Sequence, residues 1–405
     1  ERLRITEGGA LQVGTAYTLP TSDGTANQVL TTDGSGSVTF ADAGGGGADL
    51  YAANESSPTA QPSATGANAV AIGDQAIASG PDSFAIGEHS DATGTRTHAF
   101  GFAAVATHTN ALALGTSRAF AADATAISIA NNSTSYGASS ANSIAMGYQA
   151  KSTGSTNGSV AIGHNAQATS RETVAIGSSA YATGSGAVAL GGYFGTSVQA
   201  RATGTTSFAV AGANGLANID SVAAGLSSIA MAGGYAQQNQ SVAIGAFAHA
   251  NVRGKVAWSS YPLTNANGAT QAGNYVLSNS TTDATATKLV TDYDWTSAGS
   301  INQIVLPNNS VYGFTGTVIA REDSSSTDDF AVWEVKGGAV RGATASTTTL
   351  GSYNINKISE STGAANWSIA LSADTTNGAV AITVTGEAAH NIRWVATVNT
   401  TEVIY

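Results

Sequence analysis

The chain has 405 residues, of which only 10% are charged, with no cysteine and a formal net charge of −11. Disulfide staples and thiolate metal sites are therefore excluded, and because Arg96, Lys151, Arg171, Arg201 and Arg253 stand singly, no basic cluster exists to neutralise nucleic-acid phosphates. No apolar run is long enough to span a bilayer and no basic-then-apolar leader opens the chain, so membrane insertion is not expected.

The chain opens on Glu1 and is taken as part of a longer polypeptide. Residues 1–48 read as a β-hairpin and linker module. Two Asp-Gly turns, Asp23-Gly24 and Asp33-Gly34, flank a short strand at Val29–Thr31. The phrase from Leu19-Pro20-Thr21-Ser22-Asp23-Gly24 to Thr31-Thr32-Asp33-Gly34 resembles segments that recur in bacteriophage tail fibres and related host-recognition appendages. These turns lack the ligand spacing of an EF-hand loop and are assigned to plain turn chemistry, without calcium. The run Gly44–Gly47 reads as a flexible joint and residues 49–64 as a connector.

Residues 65–252 are dominated by one phrase, apolar-Ala-apolar-Gly. Its glycines fall at Gly73, Gly87, Gly101 and Gly115, fourteen apart, and then at Gly147, Gly163, Gly177, Gly191 and Gly245. That step is too short for a helical repeat pair, and the alternation in Val70-Ala71-Ile72 has the period of a strand. A second alternation, as in Ala180-Tyr181-Ala182, follows each glycine, with Ala expected inward and the middle residue outward. The phrase-closing glycines, with Gly80, Gly94, Gly154, Gly184 and Gly204, are expected to supply the positive φ of tight corners. One repeat is then two short strands and two turns. Stacked repeats pair edge to edge in a parallel β-roll of about a dozen coils, ~60 Å long at ~4.8 Å per coil. Its interior of Ala, Val and Ile is thin, so several copies are expected to close side by side through Ala-rich faces, three being the expected number.

Ser159-Val160-Ala161-Ile162-Gly163-His164-Asn165-Ala166-Gln167-Ala168, with sister copies from about Ala67 to Ala250, resembles the YadA-like head repeats of trimeric autotransporter adhesins. The resemblance covers a little under half of the chain. It implies an all-β, left-handed parallel β-roll in an intertwined homotrimer with an adhesive role.

Residues 253–300 read as a neck and 301–405 as a tip domain. Strands are expected at Tyr275–Leu277, Ile301–Leu306, Tyr312–Ala320, Phe330–Val335, Trp367–Leu371, Ala379–Thr385 and Ile392–Val398, with turns at Pro307-Asn308-Asn309 and Asn377-Gly378. Their number and spacing suggest an antiparallel β-sandwich of about jelly-roll size. The runs Leu306–Phe314 and Ala373–Gly378 resemble terminal β-domains of phage tail proteins. Neither the heptad stalk nor the anchor of an autotransporter is evident.

Catalytic motifs are missing: there is no Gly-x-Ser-x-Gly elbow and no phosphate loop, and His89, His98, His108, His164, His249 and His390 are never at zinc-ligand spacing. No cofactor or metal is expected. A glycan-cleaving enzyme would need two carboxylates facing across a groove, and Asp292, Asp294, Asp323, Asp328, Asp329 and Glu334 are candidates only by default. The most site-like cluster is Asp292, Tyr293, Asp294 and Trp295, because aromatic faces stack on sugar rings while carboxylates accept hydroxyl hydrogens. A competing reading puts Trp295, Trp333, Trp367 and Trp394 in a core or trimer seam. On the roll, outward Lys151, Gln167, Tyr181 and His249 fit solvent and also allow a receptor patch.

The expected function is non-enzymatic: a homotrimeric bacteriophage tail-fibre component in the virion. It would attach upstream to a virion or tail protein and bind a host cell-surface glycan or protein. The alternatives are a bacterial trimeric adhesin on the cell surface and a glycan-depolymerising tailspike.

Overall fold

Strand periodicity along the repeat is realised coil by coil. The described residues of the computed structural model are 3–15, 17–26, 28–42, 60–127, 136–154, 158–191, 199–210, 219–260, 266–292, 297–323 and 328–405. They fall in two units, Glu1–Pro58 and Thr59–Tyr405. The first holds a small antiparallel sheet of Leu3–Ile5, Leu11–Val13 and Tyr17–Thr18, and a hairpin of Gln28–Thr32 with Val38–Asp42. In the hairpin turn the Asp33 carboxylate accepts bonds from the Ser35 and Ser37 amides at 2.8 and 3.1 Å, the turn chemistry expected of Asp-Gly.

In the second unit each apolar-Ala-apolar phrase forms a three-residue strand, from Val70–Ile72 to Val256–Trp258, and pairs in parallel with the same phrase one coil away. The Ala-x-Ala segments form a second parallel ladder, a 13-stranded sheet running from Ser63–Ala64 to His249–Ala250. The two ladders face each other across an interior of alanines, nearly all fully buried. Just before many of the apolar strands stands an inward Ser or Thr. Its hydroxyl donates to the carbonyl three residues earlier: Thr97 to Gly94 at 2.7 Å, and Ser207, Ser228 and Ser241 to Gly204, Gly225 and Gln238 at 2.6 Å. The hydroxyl thus satisfies a buried corner carbonyl inside an otherwise dry stack.

The glycines divide into two kinds. Gly73, Gly87, Gly101, Gly115, Gly147, Gly163, Gly177, Gly191 and Gly245 have positive φ. Gly80, Gly94, Gly154, Gly184 and Gly204 do not, which corrects the expectation from sequence. A Cβ on Gly80 would lie 1.9 Å from the Gly94 carbonyl oxygen, and one on Gly184 2.0 Å from that of Gly204. These residues are glycine because the next coil's backbone occupies the side-chain space. Much of the left-handed backbone falls instead on other residues, including Gln75, His89, Asn110, Gln149 and Asn165, all with φ near 55–58°.

At Val256–Trp258 the first ladder turns antiparallel and continues without a break into five long strands. Their order is Thr270–Thr281, Ile392–Ile404, Ser310–Glu322, Phe330–Arg341 and Thr349–Glu360. One face of this sheet is covered by a smaller sheet in which Ala379–Thr385 pairs with Thr287–Lys288, Ile304–Val305 and Ser368–Asp374. The shared core holds Tyr275, Leu289, Ile304, Tyr312, Trp333, Ile382 and Trp394. Trp394 stacks on Trp333 at 5.6 Å and donates its indole N–H to Thr281 Oγ1 at 3.0 Å. The sheets are unequal in size, and the second face of the larger one is open. Thr349–Glu360 is absent from the expected strands, because as an edge strand exposed along most of its length it carries little hydrophobic alternation.

Gly80→Ala is expected to lower stability by about 1–3 kcal/mol through forced separation of two coils. Gly299→Ala, where the nearest atom would lie 3.6 Å from the new Cβ, should be close to neutral. Urea titration of both variants checks this.

Candidate functional site

The position before each apolar strand is small or hydroxylated in nearly every coil, but in the last coil it is Lys255. Its side chain is fully buried, and Nζ donates to Glu402 Oε2 at 2.7 Å from the last strand of the chain. Gln271 Nε2 and Thr400 Oγ1 donate to the same carboxylate at 2.6 Å, and the Tyr275 hydroxyl at 3.2 Å. Gln271 also receives the His249 amide at 2.7 Å and donates to the His249 carbonyl at 3.0 Å. The open end of the alanine stack is therefore closed by a satisfied ion pair that joins the roll to the terminal sheet.

Asp292 belongs to a second part of this junction. It is 5% exposed, ion-paired with Arg253, and bonded by Asn302 Nδ2 at 2.8 Å. Its carboxylate is held inside the protein. Tyr293, Asp294 and Trp295 lie outside the described residues. Of the other acidic candidates, Asp323 pairs with Arg393 and Asp328 with Arg321, both at 2.7 Å on the surface, and Asp329 accepts the Ser361 hydroxyl at 2.6 Å. Trp333, Trp367 and Trp394 are all in the core. Among the described residues no group of three or more His, Asp or Glu could hold a metal.

The open face of the terminal sheet carries a groove of about 840 Å³. Cross-strand register builds it from two rows. In the first, Trp258 is followed by Ala272, Thr401, Gly313 and Gly338, so one large ring stands beside a run of small residues. In the second, Asn274, Asn399, Thr315, Lys336 and Asn354 lie side by side, and Asn274 Nδ2 donates to Asn399 Oδ1 at 3.0 Å. A Cβ on Gly313 would meet nothing within 4 Å, and the register slips between Gly337 and Ala339, which hollows the sheet at this point. Trp258 is 45% exposed. An exposed indole next to amides and hydroxyls can stack on a sugar ring and bond its hydroxyls. Among the described residues lining the groove there is no carboxylate or imidazole. Sequence reasoning passed over Trp258. The available signal was the last repeat copy, Val256-Ala257-Trp258-Ser259, where an aromatic and Ser replace the aliphatic residue and Gly.

The same face continues down the roll. Phe84, Met146, Ile176, Ile229, Met231 and Ile244 project outward from the first ladder, each more than a third exposed. On the second ladder Lys151, Gln167, Tyr181 and His249 are half-buried and pair with their coil neighbours: the Arg201 guanidinium lies 5.1 Å over Tyr181, and Tyr235 stacks on His249 at 5.1 Å.

Residues 64–90, 92–117, 138–166, 157–180 and 168–193 match the YadA head domain repeat. Together they span about a quarter of the chain. No curated protein matches. Among solved structures, the tailspike gp49 of Acinetobacter baumannii bacteriophage Fri1, described as a capsular polysaccharide depolymerase, is similar at 9% identity. The match covers 83% of this chain and 54% of that one, with a TM-score of 0.25. The tailspike of Acinetobacter phage vB_ApiP_P1 is similar at 11% identity over 83% of this chain and 58% of that one, with a TM-score of 0.19. The chain thus spans little more than half the length of either. The fold assignment rests on the ladder register and not on these two likenesses.

The junction predicts acid lability. Burial, aided by the nearby Lys255 charge, holds the His249 imidazole down to about 4. Burial alone would push the Glu402 carboxyl up, but Lys255 and the bonds from Thr400 and Gln271 keep it below the usual carboxylate range. In both cases the unfolded chain takes up its proton at higher pH than the folded protein. The stabilisation is therefore complete above pH about 6.5, falls first through His249 down to about 4, and falls further through Glu402 below about 4.5. Urea midpoints measured from pH 7.5 to 3.5 should follow that order. Lys255→Met is expected to cost about 3–5 kcal/mol by stranding the Glu402 charge, and adding Glu402→Leu should recover more than half of the loss.

Proposed function

We propose that the chain is a binding component of a bacteriophage tail fibre, in which three copies wind their rolls together and present the terminal sheets to a host-surface glycan or protein. The observation that carries the self-assembly is the apolar row on the first ladder. A lone roll leaves it in water along most of its length, and the alanine interior offers no deeper core into which it could fold. The tail-fibre assignment draws on the Asp-Gly phrase of the N-terminal module and on the Leu306–Phe314 run of the tip.

The groove beside Trp258 supports binding over cleavage, since its amides, hydroxyls and single lysine offer contacts without an acid–base pair. Each site on its own would be weak. Three copies per fibre raise the effective concentration of the next contact without any new interaction. The YadA head domain repeat favours a second reading, a bacterial surface adhesin with the same roll, and the gene context separates the two: tail-assembly neighbours or a membrane anchor.

In solution the full chain is expected at three times the 40.1 kDa of one copy. Light scattering that finds a folded monomer would sink the assembly. Ile176→Asp places a charge in the row and should shift the protein toward monomer or abolish its recovery. Trp258→Ala should keep the trimer and reduce binding of labelled protein to host cells by tenfold or more, read by flow cytometry.

A further inference from the structure

The repeat breaks stride at three long steps. The alanine-to-alanine step on the first ladder lengthens to nineteen between Ala126 and Ala145, to twenty between Ala189 and Ala209 and to twenty-one between Ala209 and Ala230. Between the first two, a step of sixteen to Ala161 is followed by two of fourteen, and on the flank of these coils, away from the apolar row, is a hollow of about 270 Å³. Its two ends come from the irregular stretches. Tyr136 precedes Gly137, which pairs with Lys151, and Gln199 precedes the strand that pairs with Tyr181.

The floor is built by the coils themselves. Gln149, Asn165 and Ser179 stand one above another at a corner, each with φ of 55°, so their side chains leave the backbone in the same direction. Gln167 and Tyr181 are directly paired on the second ladder beside them. The rim is braced: Arg201 Nη1 donates to Gln199 Oε1 at 3.0 Å, the Gln199 amide donates to Asp220 Oδ1 at 2.7 Å, and the same guanidinium lies over the Tyr181 ring.

We infer that this hollow is a binding site for a neutral sugar unit of a surface polysaccharide. Every described side chain lining it is an amide, a phenol or a hydroxyl. Amides both donate and accept, which matches a ring of hydroxyls that do the same, and two tyrosines supply apolar faces for the sugar's C–H side. An anionic sugar would need a cation. Among the described residues no lysine or arginine lines the hollow, Arg201 is engaged by Tyr181 and Gln199, and the chain's charge of −11 opposes an acidic polymer. A peptide adding as a strand would need a free edge, and the strands here are paired on both sides.

The inference rests on the adhesive reading but concerns a site separate from the terminal groove. Saturation-transfer NMR on the full chain, with methyl glycosides of glucose, galactose, mannose and N-acetylglucosamine, and with glucuronic and N-acetylneuraminic acids, is expected to show transfer to at least one neutral sugar and to neither acid. Trp258→Ala, which removes the terminal groove's indole, serves as the background, and in it Tyr181→Ala and Gln167→Ala should each weaken binding tenfold or more. Should Tyr181→Ala fail to assemble, the outward Gln167→Ala decides. Transfer to no neutral sugar, transfer to the acids alone, or unchanged binding in Gln167→Ala overturns the proposal. Loss of cell attachment in Trp258→Ala with the sugar signal intact would leave both sites standing. Retained attachment in that variant, with the signal intact, would remove the terminal groove and keep this one.

Discussion

The distance between successive coils governs this structure. Backbone carbonyls of one coil sit within bonding distance of a hypothetical Cβ on the coil below at Gly80, Gly154, Gly184 and Gly204, so the stack tolerates nothing larger than hydrogen there. Inside, the same closeness admits Ala and hydroxyl residues and little else. A coil with so small an interior buries few methylenes of its own, so continuous ladders carry much of its stability. The Val, Ile, Leu and Phe residues therefore have only one direction to go. They point outward, and the element that would be core in an ordinary domain becomes an exposed row.

A stack of this kind also has an end problem. Its last coil exposes unpaired backbone and the alanine interior, and further coils would only move the difficulty along. Here the end is closed by antiparallel pairing of Val256–Trp258 with Thr270–Thr281 and by Lys255 filling the interior position. Two desolvated charges cost heavily, and replacing them with apolar groups is often no worse for stability. What the pair adds is direction: Glu402 accepts from Lys255, Gln271, Tyr275 and Thr400 together, an arrangement available in one register only. The terminal sheet is thereby fixed in angle on the roll.

The roll was legible in the sequence because each coil repeats its own evidence: strand period, Ala facing inward and Gly at the corner are stated over and over within a few residues. The two kinds of glycine were not legible, since one reflects a backbone angle and the other the approach of a coil fourteen or more residues away. The hydroxyl before each strand was equally visible and equally mute until Thr97 and Ser207 were seen to bond the corner carbonyls. The terminal groove lay further out of reach. Its rows join Trp258 to Thr401 and Asn274 to Asn399, partners more than a hundred residues apart, and a slip of one residue would send each side chain to the opposite face. Asp292 stood in an aromatic, acidic phrase that looked exposed, yet the Arg253 beside the last corner draws it inward.

One uninterrupted ladder carries two chemistries. From Val70 to Ile244 its outward row is aliphatic or aromatic in nearly every coil, and beyond Trp258 the same face sets Thr, Asn and Gly among exposed Val276, Val311, Ile319, Val340, Val395 and Val403. An apolar face of constant width favours a partner of the same length and pitch, which a second copy supplies by symmetry. A hydroxyl- and amide-rich face gains little from such closure, because each of its groups would need a new partner on losing water. In the proposed assembly, closure against other copies would therefore suit the apolar row of the roll better than the strip of Thr, Asn and Gly beside Trp258. That strip keeps its polar groups in water, which a ligand's hydroxyls would replace at small net cost if the proposed binding holds.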